Sequence, residues 1–402
     1  MSFLINEEEE SLLQCELKKK NYGLCFTCQK QNKINWCKNC EYSTFEKFFS
    51  RWSSGNIYID FVIQETQRNA SESTDYLEWI PFGQLDLIEF CGKGTFSTVY
   101  SGFWLEGPRW VWDEEGDEWS RNGPIKIAIK RIDYSQNITK EYADKILKYR
   151  IQSGSFADCF GMTRDDTGCY AFIMKYYEHN LYQYLDEAKG ILCWRDIIDM
   201  LWGISEGLEK IHKEGFYHGN LHGGNLLIEN EPESVDVRIT DIGIHGSVNQ
   251  TTTRYGVLPF VAPEILKDLP YTQESDIYSF GIIMWTLSSG IKPFCDRAHD
   301  KILATEIFNG LRPTIIEGTP QVYQDLMIRC WSSDQKVRPK AAEIYEILCK
   351  WFTAICDDPD PSEISNQFDE AEEKKFADLE NNKFIIPPVH NQAKYISQPL
   401  IF

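Results

Sequence analysis

The sequence is short of positive charge. Its 41 Lys and Arg against 61 Asp and Glu leave a net charge of −20, the wrong sign for a general phosphate-binding surface, so nucleic acid is not an expected partner. It also lacks a long hydrophobic run. No stretch reaches the roughly 20 apolar residues that a membrane span needs, so no membrane association is expected. The opening residues, from Met1 to the acidic run Glu7–Glu10, lack the charge pattern of a signal peptide. No internal repeat is present. These absences point to a cytoplasmic protein, with the nucleus as the other compartment.

What is present begins with cysteine. Of the 13 cysteines, nine are scattered singly, as free thiols are in a reducing compartment. The other four form two knuckles, Cys25-x-x-Cys28 and Cys37-x-x-Cys40. Two such pairs can converge on one tetrahedral structural Zn²⁺ with no open position for catalysis; the plainer alternative is four unrelated thiols. Trp36 and Tyr22 are placed to cover the site. A helix is expected from Ser43, where Ser43 and Glu46 have capping-box spacing and Phe45, Phe48, Phe49 and Trp52 recur at helical intervals. A second is expected from Asn56 to Arg68.

From Leu85 the character changes. Gly92-Lys93-Gly94 lies between two strand-like runs and is followed by Ser97 and Val99. Residues 101–123, with Trp104, Trp110, Trp112 and Trp119, read as a twisted hairpin with cross-strand aromatic pairs, the alternative being a partner surface. Ile127-Ala128-Ile129-Lys130 is a strand, Thr139–Arg150 a helix, and Ala171–Tyr176 a strand containing Met174. Trp194–His212 has the apolar period of a long buried helix. It leads to His218-Gly219-Asn220-Leu221, then Asn225, Leu226 and Leu227, then Asp241-Ile242-Gly243, Ala262-Pro263-Glu264, Asp276 and Val337-Arg338-Pro339.

In this order and spacing the motifs resemble those of protein kinases, over about Leu85 to Phe352. The phrasing around Val257–Glu264 and Ile277–Gly281 is similar to tyrosine-kinase-like kinases. The cysteine-bearing preface and Trp-rich insertion resemble the expanded kinase-like families of mycorrhizal fungi. The resemblance implies an α+β, two-lobed kinase fold preceded by a zinc-ribbon-like segment. The expected divisions are a charged tail (1–22), a C-x-x-C ribbon (23–42), a helical linker (43–84), the kinase-like domain (85–355) and a C-terminal tail (356–402) that docks on the domain or a partner.

The resemblance also implies roles. Gly92, Gly94, Val99, Ala128, Lys130, Met174, Asn225, Leu227 and Asp241 would bind ATP, with Lys130 on the phosphates and Asn225 and Asp241 holding Mg²⁺. Glu264 and Arg338 would form a buried pair that fixes the second lobe. Two departures bear on catalysis. Asn220 stands where a kinase has its catalytic Asp, and a neutral amide cannot take the proton of a substrate hydroxyl. Lys145 falls at the position of the Glu that clamps Lys130, with Glu141 and Asp144 as alternatives in a shifted register. His222 is near, but its position is a variable one in the family. Gly219 replaces the Arg that grips an activation-segment phosphate, so modification of Thr251, Thr252, Thr253 or Tyr255 is not expected to order that segment by this route.

The reading is a kinase-fold signalling protein that binds ATP and acts through signalling partners with weak or absent transfer, a pseudokinase. The alternatives are an active Ser/Thr kinase and a nucleotide-free interaction module.

Overall fold

The computed structural model describes residues 25, 28–29, 36–72, 75–113, 118–148, 150, 154–230, 234–243, 254–357, 361–381 and 386–400. They form two compact units. The first comprises residues up to Gly92, Thr98–Leu147 and Cys159–Lys175; the second comprises Lys93–Ser97, Lys148–Asp158 and Tyr176 onward.

The first unit holds α1 (Lys38–Phe48), α2 (Ile57–Asn69), β1 (Glu78–Trp79), β2 (Leu85–Lys93), β3 (Ser97–Trp104), β4 (Arg109–Asp113), β5 (Glu118–Arg121), β6 (Ile125–Ile132), α3 (Lys140–Lys148), β7 (Cys159–Arg164) and β8 (Tyr170–Lys175). Its six-stranded sheet runs β1-β7-β8-β6-β3-β2. Strand alternation sends Ile127 and Ile129 of β6 into a core with Leu85, Trp104, Ala171 and Ile173.

The first helix begins earlier than its Ser43 capping signal suggests. α1 starts at Lys38, and the Glu41 N–H already donates to the Cys37 carbonyl at 2.9 Å. The helical spacing of three residues brings Cys37 and Cys40 to one side, so the second knuckle doubles as the helix start. α2 follows expectation: Asn56 accepts from the N–H groups of Tyr58 and Ile59, and Ile59, Val62 and Ile63 are buried. Trp36 packs with Phe45, Ala70 and Tyr76 in a small cluster against which Phe49 and Trp119 lie. The Trp-rich insertion is the hairpin β4–β5, with Trp112 opposite Trp119 in the backbone register. It is tied to α1, because Arg109 and the Trp119 indole both donate to Glu41 at 3.1 Å.

The second unit holds β9 (His179–Asn180), α4 (Leu181–Glu187), α5 (Trp194–Lys213), β10 (Leu226–Asn230), β11 (Val235–Ile239), β12 (Tyr255–Gly256), α6 (Gln273–Ser289), α7 (Lys301–Phe308), α8 (Gln321–Cys330), α9 (Ala341–Phe352), α10 (Glu363–Glu380) and β13 (Gln398–Pro399). Every residue from Ser275 to Ser289 is buried, as a helix that is the centre of a core must be. α6 stops at Gly290, at φ +65, where a Cβ would lie 1.9 Å from the Gly190 carbonyl oxygen; only glycine fits there. A β-rich unit and a helical unit are the α+β division the resemblance implies. Among the described residues no helix is long and apolar enough to cross a membrane.

The C-terminal segment is structured. α10 opens on a capping box at Ser362 and buries Phe368 against Trp194 and Trp351, with ring centroids 5.6 and 5.7 Å away. The chain then returns so that β13 pairs antiparallel with β12.

Candidate functional site

The expected nucleotide residues of the first unit share one face of its sheet. Ala128 and Lys130 alternate with the core residues Ile127 and Ile129, so they lie on the opposite face. Met174 pairs with Ala128, and Phe172 with Lys130, in the β6–β8 register. Val99 joins them, because its neighbour Tyr100 packs onto the core and Trp104 lies within it. A Cβ at Gly92 would meet no protein atom within 4 Å. The fold's own packing therefore does not demand glycine there.

On α3, Tyr142, Ala143 and Ile146 are buried and Lys145 is half-buried. The two carboxylates are turned outward. Asp144 pairs with Lys140 at 2.7 Å with both side chains more than half exposed. Glu141 is exposed, and its carboxyl is held below its ordinary range by backbone and Thr139 hydrogen bonds at the helix start. Of the three candidates for the clamp position, the inward one carries positive charge.

In the second unit the stretch His218–Asn225 is pinned by its own backbone. Asp276, buried in α6, accepts the His218 N–H at 2.7 Å and the Gly219 N–H at 2.8 Å, and its Oδ2 lies 3.0 Å from His212 Nε2. Two charge-assisted bonds to consecutive amides hold the loop rigidly. His218 is fully buried. Its Nδ1 accepts the Asn220 N–H at 3.2 Å, so Nε2 carries the proton and donates to the Thr240 carbonyl at 3.0 Å. Burial lowers its pKa, which agrees with a neutral ring. Gly219 sits at φ +77, a conformation that suits glycine and strains an L-residue.

The Asn225 side-chain amide donates to the Asn220 carbonyl at 2.9 Å, and the Thr240 N–H donates to the Asn225 carbonyl at 3.0 Å. Asn220 and Asn225 are thus joined, and Thr240 is bound to the same loop. The next residue, Asp241, has φ +65, a left-handed conformation that non-glycine residues adopt at a cost and that clusters at functional sites. Asn220 Oδ1 is buried and, among the described residues, has no hydrogen-bond partner. Leu227 is half-buried beside the fully buried Leu226, and pairs with Asn180 of β9 and Arg238 of β11.

His222 is structural. It is buried, accepts the Gly224 N–H at 3.0 Å on Nδ1, and stacks on Tyr182. Glu264 and Arg338 form the expected buried pair through two bonds of 2.6 and 2.8 Å, and Arg338 also donates to the carbonyls of Glu274 and Ser332. Thr251–Thr253 lie outside the described residues. Tyr255 is buried and takes part in the β12–β13 pair.

The four cysteines converge. Their Sγ atoms all lie within 4.8 Å of one another, with Cys25–Cys40 at 3.6 Å and Cys28–Cys37 at 3.4 Å. The edge of a tetrahedron with Zn–S bonds of about 2.3 Å is about 3.8 Å, so the cluster could hold zinc. Burial, and then the neighbouring thiols, raise the Cys40 pKa. Trp36 belongs to the aromatic cluster, where its indole donates to the Ala70 carbonyl at 3.2 Å; Tyr22 lies outside the described residues.

The sequence led to the expectation that the C-terminal tail docks on the domain or a partner but did not say where. Ser397, beside β12, has a buried hydroxyl with no partner among the described residues, and no motif pointed to it.

Comparison with known proteins matches this architecture. The chain is 28% identical over 295 residues to the probable serine/threonine-protein kinase pats1 of Dictyostelium discoideum, covering 72% of this chain and 9% of that protein. It is 27% identical over 182 residues to serine/threonine-protein kinase STY17 of Arabidopsis thaliana (44% of this chain, 31% of that protein). It is 28% identical over 191 residues to serine/threonine/tyrosine-protein kinase HT1 of the same plant (46% and 48%). The chain therefore spans less than half the length of these relatives. The family model described as protein tyrosine and serine/threonine kinase matches residues 85–348, and the chain belongs to that family.

Proposed function

We propose that this chain binds ATP with Mg²⁺ and transfers phosphate weakly or not at all, acting through signalling-protein partners as a pseudokinase in the cytoplasm. The observation that carries the reading is Asn220. It is half-buried in a loop held by Asp276 and Asn225, with its Oδ1 buried and without a partner among the described residues. An amide oxygen there can accept a hydrogen bond from a substrate hydroxyl but has no useful basicity.

The nucleotide half of the proposal is supported by the shared sheet face of Val99, Ala128, Lys130 and Met174 and by the open space at Gly92. Lys130 would meet the phosphates. Asn225 and Asp241 would hold Mg²⁺, which supplies charge neutralisation on the phosphate oxygens. The strained backbone at Asp241 favours this over a purely structural loop. The cysteine cluster is proposed as a structural zinc site that anchors the start of α1.

Thermal melting with ATP, with and without Mg²⁺, tests the nucleotide half. A saturable rise in melting temperature that needs Lys130 and Asp241 is the expected result. No shift at millimolar nucleotide, with or without metal, would favour the interaction module. Transfer well above that of a Lys130→Ala chain would return the protein to the active kinases, the reading that its relatives' names favour.

A further inference from the structure

The first turn of α1 lacks the usual cap. Its N-cap is Cys37, in extended backbone, and among the described residues no side-chain hydrogen bond closes the helix start. The first N–H groups of a helix have no partner within it and are commonly satisfied by a capping side chain. A helix of 11 residues is also marginal on its own. What this turn has instead is the four-cysteine cluster: Cys37 opens the turn and Cys40 lies in it. Glu41, the next residue, is where the Trp-rich hairpin is fastened. Its Oε2 accepts from Arg109 of β4 and its Oε1 from the Trp119 indole of β5, both at 3.1 Å. The Arg109 and Glu41 side chains are only 14% and 12% exposed, and the guanidinium stands 4.6 Å from the centre of the Phe45 ring, one turn further along α1.

A second connection runs through Trp36. Its ring centre is 6.0 Å from that of Trp119 and 6.0 Å from that of Tyr76. Tyr76 leads into β1, and Glu78 of β1 takes Arg121, at the end of β5, through two bonds of 2.8 and 2.9 Å. Trp36 and Glu41 bracket Cys37 and Cys40 in the chain, so whatever fixes these two thiols fixes both fasteners of the hairpin. The hairpin in turn is spliced between β3, which ends at Trp104, and β6, which begins at Ile125 and carries Ala128 and Lys130. A restraint on the hairpin is therefore a restraint at the chain ends of two strands of the sheet.

We propose that zinc at the four cysteines and docking of the β4–β5 hairpin form one coupled equilibrium, which makes the insertion a metal-responsive element of the first unit. With zinc, Cys37 and Cys40 are ligands of one ion, the first turn of α1 is fixed, and Glu41 and Trp36 hold the hairpin. Without it the uncapped turn frays, the Glu41 carboxylate no longer meets Arg109 and Trp119 together, and the hairpin loosens between β3 and β6. Such coupling is reciprocal: hairpin docking raises zinc affinity by the factor by which zinc favours docking. The inference rests on the reading of the cysteines as a zinc site and needs neither nucleotide nor phosphate transfer.

The test uses the full chain under reducing conditions. Amide hydrogen exchange of the wild type is compared with zinc bound and after its removal by a chelator. The amides of β4 and β5 should lose protection at least about fivefold, the lower end of ordinary coupling between sites, while those of β7 and β8 stay unchanged. In competition with a chromophoric chelator, Arg109→Met should bind zinc at least about fivefold more weakly than the wild type, by the same reciprocity. Arg131→Met, which removes the ion pair with Asp165 at the opposite end of β6, should bind it as the wild type does. Equal protection of β4 and β5 with and without zinc overturns the proposal, leaves the zinc site standing, and depends on no variant. Loss of protection spread equally over β7 and β8 also overturns it, because zinc would then be a general stabiliser. So does a zinc affinity that Arg109→Met leaves unchanged, or that Arg131→Met lowers as much. A chain that takes up no zinc overturns the zinc reading and the coupling with it.

Discussion

Replacing Asn220 by Asp would put a carboxylate at the position where the proposed reading lacks a base. A positioned general base is typically worth about 10²–10⁴ in rate, or roughly 3–5 kcal/mol of barrier at 1.36 kcal/mol per decade. Wild-type transfer to a generic protein substrate should therefore lie at least about a hundredfold below that of a comparable kinase. The structure says why Asn220→Asp alone should recover only part of it. On α3, Glu141 is occupied at the helix start and Asp144 is paired with Lys140, both facing solvent, while the half-buried position is Lys145. Both carboxylates of this helix face solvent and its half-buried position carries an ammonium, so this helix does not offer Lys130 the carboxylate that the family uses as its clamp. Lys145→Glu added to Asn220→Asp should recover more than the two single changes summed in free energy, because base and clamp serve one transition state. The assay is radiolabelled phosphate transfer by all four chains, with Lys130→Ala as the blank. Full rescue by Asn220→Asp alone would refute the clamp argument. Wild-type transfer far above the blank would refute the base argument.

Four further outcomes are expected. Arg338→Met leaves the buried Glu264 carboxylate and two carbonyls without their donors, and should cost about 3–5 kcal/mol in urea unfolding; a loss under about 1 kcal/mol would contradict the pairing. Gly219→Arg, which restores the family residue, forces an L-residue to φ +77, and should lower stability by about 1–2 kcal/mol in the same assay; an unchanged midpoint would show that the loop relaxes. Purified, reduced protein should contain one zinc per chain by metal analysis, and Cys25→Ser should lose it; a stoichiometry near zero would dismiss the cluster as four thiols. His218 is buried neutral, with its pKa below 6.5, so the unfolded chain binds its proton more readily. Its stabilising contribution is fully present above about pH 6.5 and is lost as pH falls toward the depressed folded value. His218→Gln should flatten this part of the stability–pH curve, and an unchanged slope would argue against the neutral ring.

The catalytic-loop residues, the Asp241 turn, the Glu264–Arg338 pair and the helices α5 and α6 were legible in the sequence. The two helices follow from an apolar period long enough to leave no alternative, whereas the other three were read through the resemblance to kinase motifs, and the left-handed backbone at Asp241 only from the structure. The cysteine cluster was legible from spacing, since two knuckles so close together have few ways to satisfy four thiols. The start of α1 was not, because a good capping signal at Ser43 was overridden by a turn that begins at Cys37.

Lys145 shows the boundary between the two kinds of information. The spacing left three residues open, and only the packing of Tyr142, Ala143 and Ile146 decided which of them turns inward. That the tail docks was expected, but its path was beyond reach of any local reading. Residues 393–400 have no marked period, and what holds them is main-chain pairing to Arg254 and Tyr255–Gly256 together with a Tyr395 hydrogen bond to Pro293 and a ring contact with Tyr182. Backbone hydrogen bonds to a strand edge are the same for almost any sequence. The pairing of this segment with that edge was therefore decided by the tertiary structure alone.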